Sequence, residues 1–365
     1  MIKFRMLKPG DVIGVVAPSD AVDETIQESA KMVESWGFKI KYGKHIYSRI
    51  GDFSAGTAQE RMEDLKAMIF DPEVKAIWTA NGGYAATEVM PVFDKETIGY
   101  MKQQPKCFIG YSDITLILNA LSSYGISSVM GPTLWGLPEW DEVTRETMRK
   151  LISEGKAPDI NDKGRWKDIL PGTAEGRIVA SNLETLVYSF GTRFDPLMYG
   201  RGDVVLCFEE LEIDKSQLQR MIDIVLNHKR AKRIKGLIIG RLTNIREKSY
   251  PKWGMEVTAE GLASDRARRF GVPMAFCDEF GHLDTEPEGG LVDLIKKQLA
   301  YKRFIPLING IQVRLTVAAS SCKLEYLESP CQTEDELPKS PTEPIRDDRG
   351  DSSQTGGEAS SQSSR

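Results

Sequence analysis

Residues 106–121 read KCFIGYSDITLILNAL. A short apolar run, Cys107 to Gly110, passes through a turn into a longer one, Ile114 to Leu121, with Ser112 in the turn. The first run has the length of a buried strand and the second that of a buried helix, so the chain turns sharply from strand to helix at the serine. Ser and Asp are favoured helix caps, and SDITLIL read alone is most simply a capped helix. The same turn also suits a nucleophile elbow, which lifts a serine hydroxyl above the sheet at a helix N-terminus. The G-x-S-x-G pattern is incomplete, because Ile114 stands at the second glycine.

Working outward, the first half of the chain alternates strand-like and helix-like segments. DVIGVVAPS, FKIKYG, VKAIWTA and CFIG read as strands; ETIQESAKMVESWG, AQERMEDLKAMIFD and ITLILNALSSYG read as helices. Such alternation predicts a mostly parallel sheet covered by helices, with functional loops at the carboxyl ends of its strands. The polar stretch APDINDKGRWKDILPGTAEG reads as a linker or mobile loop. Beyond it, RIVAS, DVVLCFEE, GLIIGRL, IQVRLTV and CKLEYLE read as strands, with helices at NLETLVYSFG and KSQLQRMIDIVLNHKR. The expected fold class is therefore α/β: an N-terminal parallel-sheet domain over 1–157, a linker or substrate loop over 158–175, and a smaller β-rich α/β domain over 176–331. Residues 332–365 are nearly devoid of large apolar side chains and are expected to be disordered.

The 365 residues are 41% apolar and 28% charged, enough for two cores, and the net charge of −5 comes with no basic stripe. Nucleic acid and anionic membrane surfaces are therefore not expected partners, and no apolar run approaches a membrane span. Five cysteines without CxxC spacing suit a reducing, cytoplasmic setting. No HExxH or paired His/Cys ligand set appears, so neither metal nor cofactor is expected.

Four features carry chemistry. Ser112 is the first. The second is Asn81-Gly82-Gly83 after the strand VKAIWTA, where residues lacking Cβ let backbone amides approach a ligand, or simply make a turn. The third is Glu209-Glu210 at the end of VVLCFEE; alternation along a strand allows only one of the two to face the functional loops. The fourth is His282, in the acidic loop CDEFGHLDTEPEGG, where carboxylates raise an imidazole's pKa. Of the other two histidines, His228 is expected on the surface at a helix end and His45 on a surface strand. Nucleophile, carboxylate and imidazole thus all follow strands, in the order Ser, Glu, His.

These residues resemble the LD-carboxypeptidase family of serine peptidases, which includes the microcin C immunity peptidases. The likeness spans about residues 5–330 and rests on GDVIGVVAPS, RMEDLKAMIFDPEVKAIW, the glycine-pair loop, FIGYSDIT, Gly131-Pro132, EGRIVASNLETLVYSFGT, LCFEE with QLQRMI, and FGH. It implies a cytoplasmic homodimer with Ser112 as nucleophile, His282 as general base and Glu209 orienting it. The amides of Gly83 and Asp113 would form the oxyanion hole, with Gly82 beside them, while the Asp113 side chain caps the helix. The implied substrate is a small peptide cut at an LD bond, as in peptidoglycan tetrapeptides, or else a peptidyl-nucleotide of the aminoacyl-adenylate type. An inactive binding homologue is the third alternative. Trp166 could stack on an adenine or pack at the domain junction. The sequence departs from the family where Asn81 stands before the glycine pair, a position that commonly carries arginine for the substrate carboxylate in the peptidoglycan branch, where Ala180-Ser181-Asn182 occurs in place of a glycine pair, and where an apparent insertion follows His282.

Overall fold

The computed structural model describes residues 1–158, 160–161, 166–246, 257–283, 302–319 and 321–333. Among these, β1 (Phe4–Arg5) pairs with β16 (Cys331–Gln332), so the two ends of the described chain meet. A six-stranded sheet contains β2 (Val12–Val16), β3 (Lys39–Tyr42), β4 (Val74–Thr79), β5 (Cys107–Gly110), β6 (Ser128–Met130) and β13 (Leu307–Asn309). Its order is β13-β6-β5-β4-β2-β3, and all pairs are parallel except β13 with β6.

The chain runs from β2 outward to β3 and then back to β4 on the other side of β2. The reversal opens a crevice at the carboxyl ends of β2 and β4, where open parallel sheets place their ligands. The loops carrying Ser19, Gly82 and Ser112 follow β2, β4 and β5 there.

A second, eight-stranded sheet runs β7 (Ile160–Asn161), β15 (Ser321–Tyr326), β14 (Gln312–Ala318), β9 (Gly172–Asn182), β10 (Val204–Leu211), β11 (Ile234–Thr243), β12 (Met274–Cys277) and β8 (Trp166–Leu170). Strands β9 to β12 are parallel and the flanking ones antiparallel. Glu209 and His282 follow or end strands of this parallel core.

The helix Thr115–Ser123 explains how the two sheets meet. All nine of its residues are buried, in keeping with a sequence that is apolar on every face. Ile117 and Leu121 share one core with Ile178, Ala180, Val205 and Cys207 of the second sheet. Polar groups bond across this seam: the Thr115 and Thr185 hydroxyls lie 2.6 Å apart, and Asn119 Nδ2 donates to Ser181 Oγ at 2.9 Å, while Asn119 Oδ1 is buried without a hydrogen bond among the described residues.

Two stretches depart from the sequence expectation. The segment 158–175, expected as a linker, contains β7, β8 and the start of β9; short edge strands with polar residues carry little period-2 signal. Strand β13, expected with the C-terminal domain, completes the first sheet instead. Of residues 332–365, expected to be disordered, Gln332 instead lies in β16 and pairs with Arg5, because that strand closes on the chain's first strand; residues 334–365 and 284–301, most of the apparent insertion, lie outside the described residues.

Candidate active site

Strand β5 delivers Tyr111 in extended backbone and then Ser112 at φ +62°, a left-handed conformation that is unusual for a residue with a side chain. Such a residue costs about 1–3 kcal/mol and persists only where its surroundings over-determine it. Here they do. A Cβ on Gly82 would lie 2.8 Å from Ser112 Cβ, and one on Gly110 would lie 2.4 Å from Thr79 Oγ1 and 2.7 Å from Ile114 Cγ2. The glycine before the serine thus makes the room that Ile114 fills, which is why the second glycine of the elbow pattern is dispensable. Thr115 Oγ1 donates to the Ser112 carbonyl at 2.7 Å.

Asp113 does not cap the helix, contrary to expectation: no side-chain cap bond forms there. Its buried carboxylate instead accepts from Ser19 Oγ at 2.6 Å and from the Ala86 amide at 2.8 Å. Ser19 Oγ in turn accepts the Ala85 amide at 3.0 Å. The tertiary donors outcompete the local ones, and three loops are tied together around the serine. Burial, partly offset by the bonds from Ser19 and Ala86, holds the Asp113 pKa above the usual carboxylate range.

In the glycine loop the Gly82 amide donates to Asn81 Oδ1 at 2.9 Å, so Asn81 folds back on its own loop. Gly82 is therefore required for space rather than available as a donor. Gly83, at φ +133°, has an amide with no hydrogen bond among the described residues. Asp20 steadies both sides of it: its amide donates to the Gly82 carbonyl at 3.0 Å, and its carboxylate accepts the Tyr84 amide at 3.1 Å.

On the other side, β10 carries Glu209 and Glu210 just before its last residue, Leu211, and they face opposite ways as the pleat requires. Glu209 is fully buried, and its Oε2 accepts both His282 Nδ1 at 2.6 Å and the His282 amide at 3.2 Å. Because an ionised carboxylate only accepts, Nδ1 carries the proton and Nε2 is left as the base. A Cβ at Gly281, φ +100°, would lie 2.7 Å from Glu209 Cβ, so a glycine there lets the loop close on the carboxylate. Burial disfavours the imidazolium, yet the carboxylates of Glu209, Glu210 and Glu212 outweigh it and the His282 pKa is raised.

Glu210 faces away, accepting from Asn182 Nδ2 at 2.9 Å and from the Glu184 amide at 2.8 Å. Burial and the neighbouring Glu209 push its pKa up to about 7. The two halves meet at Tyr111, whose ring centroid lies 4.8 Å from that of His282. The residue next to the serine therefore packs directly on the imidazole.

Trp166 opens β8 opposite Cys277 and is 7% exposed, within the core. The other histidines also differ from expectation. The His228 side chain is largely covered, with Nε2 2.9 Å from Asp195 Oδ2, a partner too distant in sequence to foresee. His45 lies outside the strands and bonds Asp64 Oδ1 at 3.1 Å.

Ser19 and Asp20 escaped sequence reasoning, although their place just after a parallel strand was the available signal. Among the described residues no group of three or more His, Cys, Asp or Glu is arranged to hold a metal. None of the described helices is long and apolar enough to cross a membrane.

Two family models match the chain: the LD-carboxypeptidase N-terminal domain over residues 13–131 and the LD-carboxypeptidase C-terminal domain over residues 175–288. A probable murein peptide carboxypeptidase of Bacillus subtilis is 31% identical over 226 residues, covering 60% of this chain and 69% of that protein. The muramoyltetrapeptide carboxypeptidase from Oxalobacter formigenes superposes with a TM-score of 0.70 at 20% identity, over 87% of this chain and 99% of the other. MccF in complex with glutamyl sulfamoyl guanosine superposes with a TM-score of 0.71 at 16% identity, over 90% and 99%.

Proposed function

The chain belongs to the LD-carboxypeptidase family, and from that premise we propose that it is a serine hydrolase that removes the C-terminal residue of a murein tetrapeptide at an LD amide bond. The observation that carries this reading is the pair of buried Glu209 and half-buried His282, 2.6 Å apart, packed on the residue before the left-handed Ser112. The murein peptide carboxypeptidase of Bacillus subtilis supports the choice of substrate.

In this mechanism Ser112 Oγ attacks the scissile carbonyl and passes its proton to His282 Nε2. Glu209 holds the imidazole in the required tautomer and stabilises the imidazolium. The Gly83 amide and that of Asp113, in the first turn after β5, take the oxyanion. The imidazolium then protonates the departing D-amino acid, and water, activated by the same imidazole, hydrolyses the acyl-enzyme. A fixed Ser112 turn means that the nucleophile needs little reorganisation.

Hydrolysis of an aminoacyl-nucleotide is the second reading, favoured by the likeness to MccF in fold. Its candidate base-stacking residue, Trp166, is 7% exposed in this structure, and that weighs against it. A binding homologue without activity is disfavoured because all three side chains are present. On the family resemblance we also propose a cytoplasmic homodimer with N-terminal and C-terminal domains, which sedimentation would test for assembly. The deciding experiment measures wild type and Ser112→Ala on an LD-tetrapeptide and on an aminoacyl sulfamoyl adenylate. Release of the terminal D-residue by wild type alone is expected. Full turnover by Ser112→Ala would sink the proposal.

A further inference from the structure

We propose that Arg241 and Thr243 are positioning residues that set the reach of His282 toward Ser112. The proposal rests on the serine-hydrolase reading above. The two residues stand two apart at the end of β11, so their side chains leave the same face of the strand. They grip successive carbonyls of the histidine loop: Arg241 Nη1 donates to Gly281 O at 3.0 Å, and Thr243 Oγ1 donates to His282 O at 2.7 Å. The Arg241 amide adds a third bond, to Phe280 O at 3.0 Å.

Arg241 also holds the far end of the chain excursion that begins after His282. Its Nη2 donates to Arg303 O at 2.8 Å, while the Ile305 amide donates to Glu279 O at 2.6 Å. One guanidinium thus fastens backbone on both sides of residues 284–301. Residues 302–304 are anchored in turn to the first domain. Asp141 N donates to Lys302 O at 2.8 Å, Arg303 Nε to Asp141 Oδ2 at 3.0 Å, and Phe304 N to Thr144 Oγ1 at 2.9 Å. The guanidinium lies 5.8 Å from the ring of Trp140, another first-domain residue. The part of the molecule that carries Ser112 is in this way mechanically connected to the loop that carries His282.

A lysine ammonium can also serve two carbonyls, but it lacks the fixed spread of the guanidinium fork and cannot reach Gly281 O and Arg303 O with the same geometry, so lysine is not an equivalent substitute. Misplacement of a catalytic group by about 1 Å lowers the rate by roughly 10²-fold.

The test is made on the full chain with Arg241→Lys, Arg241→Met, Thr243→Val and Thr243→Ser. It measures kcat and KM on the LD-tetrapeptide, thermal unfolding, and the low-field NMR resonance of the His282 Nδ1 proton. The expectation is a fall in kcat of about tenfold for Arg241→Lys and about 10²-fold for Arg241→Met, with KM within about threefold. The Nδ1 resonance should broaden or shift, and Thr243→Ser should restore what Thr243→Val loses.

Unchanged kcat and an unchanged resonance in Arg241→Met would overturn the proposal. So would a rise in KM at constant kcat, or loss of the fold in both arginine variants, which would make Arg241 a stability residue. If wild type hydrolyses neither candidate substrate, the hydrolase reading fails, while the imidazole resonance still decides the role of Arg241.

Discussion

The Ser112 turn and the His282 loop each combine close packing with polar bonds, but in different proportions. Ser112 is held mainly by sterics: a left-handed φ, two glycines whose missing Cβ atoms leave room for it, and a helix buried on all sides, with one bond from Thr115 to its carbonyl. His282 is held mainly by polar bonds to Glu209, Thr243 and, through Gly281, Arg241. A steric constraint fails abruptly, when an atom is added. A hydrogen-bonded one fails by degrees, as partners are removed. The nucleophile is thus the fixed reference of the proposed site and the base its adjustable part.

The largest effect should come from the fixed side. Ser112→Ala is expected to lower kcat/KM on the LD-tetrapeptide by roughly 10⁴-fold or more with circular dichroism unchanged. Next is Glu209→Gln, which should lower the plateau of kcat by roughly 10³-fold. It should also change the pH profile. Neutral imidazole is the base, so activity falls as pH drops through the His282 pKa, which stands above its ordinary value because three carboxylates outweigh burial. Removing the Glu209 charge should move that acid limb to lower pH. An acid limb left in place would assign the raised pKa to Glu210 and Glu212 instead.

Adding an atom on the steric side comes third. Gly82→Ala puts a Cβ 2.8 Å from Ser112 Cβ and should cost about 10²-fold in kcat together with several degrees in Tm. Wild-type kinetics in this variant would show that the turn yields, and would undo the contrast. The smallest effect is expected from Ser19→Ala, which removes one donor to buried Asp113 and the acceptor of the Ala85 amide. It should destabilise by about 1–3 kcal/mol in urea unfolding, with a fall in activity near tenfold.

Protonation also bears on stability. The folded state favours charged His282, so that contribution is full below the ordinary imidazole pKa and is lost as pH rises through the raised one. Glu210 works in the same direction. Its pKa near 7 means that the folded state holds a proton the unfolded chain has released, so stability declines from about pH 4.5 toward 7. Glu210→Gln should flatten Tm over that interval.

The parallel strands and the residues that converge on the site were legible because each apolar run ends abruptly in a polar loop, a pattern set by burial of the strand itself. That pattern puts Ser112, the Glu209–Glu210 pair and His282 after strands, in that order; the choice of Ser112 as nucleophile and of Glu209 over Glu210 comes from the resemblance to the family. What stayed hidden depends on partners far along the chain. Asp113 looks like a cap by every local rule, but its acceptors are claimed by Ser19 and Ala86. His228 looks solvated until Asp195 is folded beneath it. Strand β8 looks like a linker because an edge strand needs little apolar content on either face. Arg241 carries no motif at all, since its role exists only once three separate backbones have come together.

The placement of β13 also bears on how the chain is made. The first sheet receives its final strand from residues 307–309, and the ends join only when residue 331 pairs beside Phe4. During synthesis the first sheet therefore waits for residues 307–309, and the edge of β6 stays uncovered until they emerge. An open apolar edge of this kind invites pairing with another nascent chain. Truncation before residue 307 should accordingly yield insoluble protein rather than a smaller working domain.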